Sequence, residues 1–231
     1  MSTIGTAFDK VNRYLAEVRR RNMLIAYCCV RLVKSPPPFT FQGKTYAQFW
    51  HRYNSTWRNE RAVEIPIIRG VVRESSGARI LEVGNVLSHY GPVSHDVVDK
   101  YETAEEVINE DICNYPPLKK YDLILGISTL EHVGWDEEPR RPEKILCAFE
   151  NLKCLLTLGG KIVVTLPLGY NGPMDQWVRE GKIAFARQFY LKRISPANVW
   201  REVGWNDVQN ARFDDSVPTA RELLIGIIEG T

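Results

Sequence analysis

The sequence predicts an α/β protein: a Rossmann-like, mostly parallel seven-stranded sheet with helices on both faces, plus an N-terminal helical extension. Three observations carry this expectation. Apolar runs of strand length alternate with segments of helical period between residues 80 and 166, and such alternation closes into a parallel sheet covered on both sides. The run Ile80-Leu81-Glu82-Val83 ends at Gly84, where the chain must turn. A second short strand, Asp96-Val97-Val98, ends in Asp99, fifteen residues beyond Gly84. Strand, glycine turn and acidic strand end together open a nucleotide-binding sheet, in which the acid receives a ribose hydroxyl pair. A site is therefore expected at the carboxyl ends of the strands.

The chain has 231 residues, 44% of them apolar, enough for one sizeable core carrying an appendage. Thirty basic residues against twenty-eight acidic ones leave a net charge of +2, so no global field argues for nucleic acid. The basic character is local: residues 1–34 hold Lys10, Arg13, Arg19, Arg20, Arg21, Arg31 and Lys34 against Asp9 and Glu17. Five cysteines, an odd number without C-x-x-C spacing, suggest neither a disulfide framework nor a zinc site, and fit a reducing compartment. The longest apolar run, Met23 to Val30, has eight residues, against the ~20 that span a bilayer. With a polar N-terminus that lacks a signal-peptide pattern, the expectation is a cytoplasmic protein.

From Thr6 the positions Phe8, Val11, Leu15 and Val18 recur at helical spacing, and the pattern continues through Val33. Its arginine cluster reads as a solvated face, with weak contact to an anionic surface as the alternative. Ser35-Pro36-Pro37-Pro38 stops the helix. Tyr46, Phe49, Trp50, Tyr53 and Trp57 then fall on one face of a predicted helix, either as core or as an aromatic lid over the pocket, with Trp50 and Tyr53 meeting substrate. Residues 1–60 are accordingly read as a helical extension or lid, and 61–231 as the main α/β domain. Glu60 to Val72 continues helically with a break or kink expected at Pro66, and Ser75-Ser76-Gly77 leads into the first strand.

Val107-Ile108 reads as a third strand, with Asp111 near its end, and Tyr121 to Ile127 as a fourth. Arg141-Pro142-Glu143 opens a helix with Ile145, Leu146, Phe149, Leu152, Leu155 and Leu156 at helical period, capped by Gly159-Gly160. Lys161 to Leu166 is a fifth strand. Leu168 to Asp175 is expected as a loop over the mouth of the site, presenting Tyr170, Asn171 and Asp175 to substrate. Ile183 to Tyr190 reads as a strand or short helix, Ser195-Pro196-Ala197-Asn198 as a helix start, and Trp205 to Gln209 and Leu223 to Ile228 as the last two strands. Asn114-Tyr115-Pro116-Pro117 reads as a turn and Asp136-Glu137-Glu138 as a hydrated loop, so no metal is expected.

Ile80-Leu81-Glu82-Val83-Gly84, Asp99, Asp111, Tyr121 to Ile124 followed by Leu130-Glu131-His132-Val133, then Leu155 to Gly160 and Thr165-Leu166-Pro167 stand in an order that resembles class I S-adenosylmethionine-dependent methyltransferases, closest to the methyltransferase type 11 group. The resemblance covers about residues 77–170. Where that family usually has Glu-x-Gly-x-Gly-x-Gly, this chain reads Glu82-Val83-Gly84-Asn85-Val86-Leu87-Ser88 and keeps only the first glycine, so its loop must take another shape.

Carried over residue by residue, the resemblance implies S-adenosyl-L-methionine as cofactor. Glu82 would hold the loop or meet the cofactor's ammonium, and Gly84 and Asn85 would lie against the methionine moiety. Asp99 would hold the ribose, Asp111 and Ile112 the adenine, and Ser128 would begin a rim over the sulfonium. His132, at the tip of the fourth strand, is the candidate base for an acceptor hydroxyl or protonated nitrogen, with a structural His anchoring the loop as the alternative. His51, His89 and His95 are weaker candidates. The implied activity is methyl transfer to a small-molecule or glycan-like acceptor; the alternative is a catalytically silent relative that binds a partner through the same fold.

Overall fold

A computed structural model of the chain describes residues 18, 21–213 and 219–230. The first expected helix is described over residues 21–33 (α1); its earlier part at residues 6–17, and Arg19 and Arg20, lie outside the described residues. The aromatic stretch that follows is a β-hairpin, β1 (Pro38–Phe41) and β2 (Lys44–Ala47), and not the helix its spacing suggested. Phe39, Thr40, Phe41, Thr45 and Tyr46 prefer extended backbone. The pair Gln42-Gly43, with φ of 48° and 71°, makes a two-residue turn whose twist suits a hairpin. Phe39 and Phe41 point into the core, while Tyr53 to Arg58 form a 3-10 turn. The expected aromatic helix face therefore does not exist.

Helix α2 (Arg61–Glu74) runs through Pro66 without a break. Pro66 has no N–H to give the carbonyl of Ala62, and that oxygen instead accepts the amide of Phe49 at 2.8 Å. The helix defect is thus filled by the segment leaving the hairpin.

The main sheet has eight strands and not seven, ordered β5-β4-β3-β6-β7-β10-β8-β9. These are β3 (Ile80–Val83), β4 (Asp96–Val98), β5 (Val107–Ile108), β6 (Tyr121–Ile127), β7 (Leu156–Pro167), β8 (Arg187–Ser195), β9 (Val199–Val203) and β10 (Glu222–Glu229). The first five pair in parallel; β10 lies antiparallel between β7 and β8, and β9 extends the antiparallel edge. The extra strand arises where a helix start was expected: Ser195-Pro196-Ala197-Asn198 is a tight connection, with Asn198 at φ 59°, that turns β8 back into β9. Trp205–Asp207, expected in a strand, is a 3-10 turn.

Side chains alternate through β6, so Leu123, Leu125 and Ile127 meet α2 and the hairpin on one face. Ile124 on the other face packs with Ile145, Phe149 and Leu152 of α3 (Lys144–Cys154). Helix α4 (Gly172–Arg179) joins that second layer through Met174 and Val178. The connections β3 to β4 and β4 to β5 carry no α-helix, only a 3-10 turn at Leu87–Tyr90. Strand order reverses between β3 and β6, and in open α/β sheets ligands bind outside the carboxyl ends of strands at such a switch point.

Candidate functional site at the strand tips

Glu82 is fully buried at the tip of β3. Its Oε1 accepts the amides of Val86 and Leu87 at 2.9 and 2.8 Å, and its Oε2 meets His95 Nε2 at 2.7 Å. The charge inside the strand is therefore the hub around which the loop winds, and three charge-assisted contacts offset its burial. Because the loop wraps a side chain, Val86 adopts an ordinary φ of −107° and the missing glycines are not needed. Gly84 alone requires one: its φ is +82°, and a Cβ there would collide with the Thr129 side chain. Loop and β6 tip touch at this point.

Asp99 ends β4 as expected. Its Oδ2 accepts the amide of Asn85 at 3.0 Å, and its Oδ1 accepts those of Tyr101 and Glu102 at 2.8 and 2.9 Å. Asn85 donates to Glu102 and accepts from the Ser88 hydroxyl. His89 also reaches Glu102, and Tyr53 stacks on the His89 ring at 4.5 Å between centroids. Trp50, by contrast, spends its indole N–H on Gln48.

Asp111 departs from its expected use. Its Oδ2 lies 2.5 Å from Lys144 Nζ and 3.0 Å from Lys100 Nζ, its Oδ1 accepts the Cys113 amide, and Glu137 closes a four-charge network with both lysines. Burial opposes its charge, but Lys144 and the other donors hold the carboxyl well below the usual range. Ile112 is buried, and its carbonyl is taken by Asn151. Glu137, expected in a hydrated loop, is thus a network member.

At the tip of β6 the structure gathers residues that the sequence reading passed over. Arg61 donates to the carbonyls of Ile127 and Ser128 at 2.6 and 3.3 Å and pairs with Glu64 at 3.2 Å. The Ser128 hydroxyl, expected to face a cofactor, donates to Glu64 at 2.5 Å. Glu60 accepts the Ala220 amide; burial, with the Glu64 charge adding to it, pushes its carboxyl up to about 7. Glu131 is 1% exposed, and its Oε2 has no hydrogen-bond partner among the described residues. Burial raises its carboxyl well above the ordinary range, with Glu64 and Glu60 adding to the shift. An unpartnered acid in such a place marks a candidate functional group.

His132 follows directly. Its Nδ1 lies 2.5 Å from Asp136 Oδ2, and its Nε2 lies 3.5 Å from Glu131 Oε1. Tyr170 donates its hydroxyl to the same Asp136 oxygen at 2.5 Å and packs edge-on against the imidazole, 4.9 Å between centroids. Of the loop expected over the mouth of the site, Tyr170 is the member that meets His132. Asp136, also expected in a hydrated loop, is what joins them.

The remaining members of that expected loop have structural uses. Asn171 is fully buried, caps α4 by accepting the Met174 amide and donates to the Glu131 carbonyl. The expected loop is therefore short, because α4 begins at Gly172. Asp175 accepts the Gly169 amide at 2.7 Å while its Oδ1 is buried without a partner among the described residues, and burial pushes its carboxyl up to about 6.

Signals for the missed residues were thin. Arg61 and Glu64 lie three apart on a helix, a spacing common to surface pairs, and Asp136 stands in an acidic run that resembles a solvated loop. Among the described residues, no group of three His, Cys, Asp or Glu side chains could hold a metal ion.

No family model matches the sequence, and no curated protein matches it. Solved structures to which the chain is similar include the N-methyltransferase NodS from Bradyrhizobium japonicum WM9 in complex with S-adenosyl-L-homocysteine, at 12% identity over 70% of this chain and 84% of that one, TM-score 0.42. Another is a SAM-dependent methyltransferase from Archaeoglobus fulgidus, at 14% identity over 77% and 97% of the two chains, TM-score 0.48. A third, a SAM-dependent methyltransferase and possible histamine N-methyltransferase from Thermotoga maritima, has 14% identity over 69% and 86%, TM-score 0.40.

Proposed function

We propose that the chain is an S-adenosylmethionine-dependent methyltransferase for a small-molecule acceptor, with His132 as the base. The observation that carries this reading is the junction of two half-sites. Thr129, against which Gly84 packs, lies only three residues before the His132–Asp136 pair. Residues fit to hold a nucleoside and a residue fit to take a proton thus stand on the adjoining tips of β3 and β6, at the topological switch point.

The fit to the cofactor is good at two of three points. Asp99 keeps acceptor capacity on Oδ2 beyond its one amide, enough for a ribose hydroxyl. Glu131 Oε2 is an unspent oxygen at the tip of β6; burial favours its neutral form, and a cationic sulfur against it would favour the carboxylate. Asp111 fits less well: two lysines take its Oδ2 and leave Oδ1, which already accepts the Cys113 amide, so it is not assigned to adenine. When bound, the cofactor supplies an electrophilic methyl group and a neutral thioether leaving group.

The protein's own part is alignment and proton removal. Asp136 fixes the imidazole with Nδ1–H toward its carboxylate, which leaves Nε2 as the proton acceptor. The same carboxylate stabilises the imidazolium once the acceptor's hydroxyl or amine has given up its proton. Tyr170 holds Asp136 from the other side and supplies a ring wall. Tyr53, stacked on His89 beside Glu102, is placed to cover the nucleoside end. A glycan-like acceptor is one member of the class these polar walls suit.

Calorimetric titration of the full chain with S-adenosylmethionine and S-adenosylhomocysteine is the test. Both should bind, and Asp99→Asn should weaken them about 10- to 100-fold, the loss of hydrogen bonds to a charged group. No heat with either compound would overturn the reading and favour the partner-binding alternative. With an acceptor in hand, His132→Gln should lower kcat by ~10²-fold or more at nearly unchanged cofactor affinity.

A further inference from the structure

Helix α1 is apolar around most of its circumference. On one side Met23, Ala26, Tyr27 and Val30 are half-buried, with the Tyr27 hydroxyl donating to the Trp50 carbonyl at 3.2 Å and Arg58 reaching Met23 Sδ at 3.7 Å. On the other, Leu24, Ile25, Leu32 and Val33 are 41, 54, 84 and 77% exposed, with Cys28 exposed among them. At 3.6 residues per turn these five positions sweep about half the helix surface. A helix with such a surface is normally covered on all sides, and the described residues cover α1 on one.

The charges around this arc have one sign. Arg21, Arg31 and Lys34 are exposed on or beside α1, and residues 1–34 hold seven basic residues against two acidic ones. We propose that α1 is an interfacial anchor that lies on an anionic lipid surface, its apolar arc at the acyl boundary and its cations among the headgroups. A narrow groove on an acidic protein would take an apolar stripe; an arc of half the circumference matches a plane. Residues 21–33 extend about 20 Å, short of the roughly 30 Å hydrocarbon core, so the helix lies on the membrane without crossing it. The body contact of α1 runs through Trp50 and Arg58, which bracket the segment bearing Tyr53, so lipid binding would bring the rim of the site toward the bilayer.

Co-sedimentation of the full chain with vesicles tests this, using phosphatidylcholine alone and phosphatidylcholine mixed equally with phosphatidylglycerol. Binding to the mixed vesicles is expected, fading at high salt, with little to the neutral ones. The pair Leu32→Glu and Val33→Glu should abolish it; both sites are mostly exposed, and an unchanged thermal melt would confirm that the fold is intact. Arg31→Ala with Lys34→Ala should weaken it about 25-fold, about fivefold per charge. Absent pelleting with mixed vesicles, equal pelleting with neutral ones, or undiminished pelleting of the double glutamate variant would each overturn the proposal. A concentration-dependent dimer that the glutamates dissolve, without vesicle binding, would overturn it in favour of a second copy of the chain.

Discussion

Replacing Glu82 by glutamine should lower the stability of the chain by about 2–3 kcal/mol. The magnitude follows from its three contacts, two amides at 2.9 and 2.8 Å on Oε1 and His95 at 2.7 Å on Oε2. A hydrogen bond to a charged group contributes about 1.5–3 kcal/mol and a neutral one about 1, so each amide bond weakens by roughly 1 kcal/mol. The carboxamide nitrogen keeps a bond to His95 only if Nε2 is unprotonated, which adds the remainder. In a chain of 231 residues this corresponds to a fall in Tm of about 4–12 °C. Urea unfolding at constant m-value gives the free energy directly. Glu82→Ala should be worse still, because the Val86 and Leu87 amides would lose their partner at about 1–3 kcal/mol each. An unchanged urea midpoint for the glutamine variant, or an alanine variant no worse than it, would refute the view of Glu82 as the hub of the loop.

Two further outcomes are expected. Gly84→Ala should cost about 2–4 kcal/mol, since the new Cβ meets Thr129 in a left-handed backbone; Thr129→Ala should recover part of this in urea titrations and the φ strain should remain, whereas full tolerance of Gly84→Ala would contradict the contact. Asp175, with its carboxyl raised to about 6, favours the folded state when protonated, so its contribution is complete below the ordinary aspartate value near 4 and is lost as pH rises through about 6. Asp175→Asn should remove that decline from a plot of unfolding free energy against pH, and a variant with the parent's slope would show another group to be responsible.

The sheet was legible because its information is local and periodic. Ile80 to Val83 and Tyr121 to Ile127 announce strands by run length, and Gly84 and Asp99 mark their ends. The aromatic segment misled because Tyr46, Phe49, Trp50 and Tyr53 satisfy a helical period by chance, while the turn signal, Gln42-Gly43, is only two residues long. Strand β9 was hidden for a related reason: Ser195-Pro196 has the chemistry of a helix cap, and pairing with β8 outweighed it. At the site, positions were readable and partners were not. Asp111 ends where expected, but the lysines that claim it come from residues 100 and 144, and no spacing rule links those to it. Glu131 stands in a legible motif, yet its burial, and the charges of Arg61, Glu64 and Glu60 that act on it from some seventy residues away, are set by the fold.

The carbonyl of Ala62 bears on where this chain can be cut. Proline at position 66 leaves that oxygen vacant inside a helix, and the amide of Phe49 occupies it. Glu60 reaches the Ala220 amide and Asn198 reaches the Asn59 carbonyl, so three crosslinks of the same kind straddle the boundary expected at residue 60. Phe39 and Phe41 lie buried in the layer that α2 shares with the sheet. Removing the first sixty residues would strip a wall of the core and strand an acceptor in α2. The extension and the α/β body are thus expected to melt as one cooperative unit, in a single transition, and limited proteolysis should find no stable fragment beginning at residue 61.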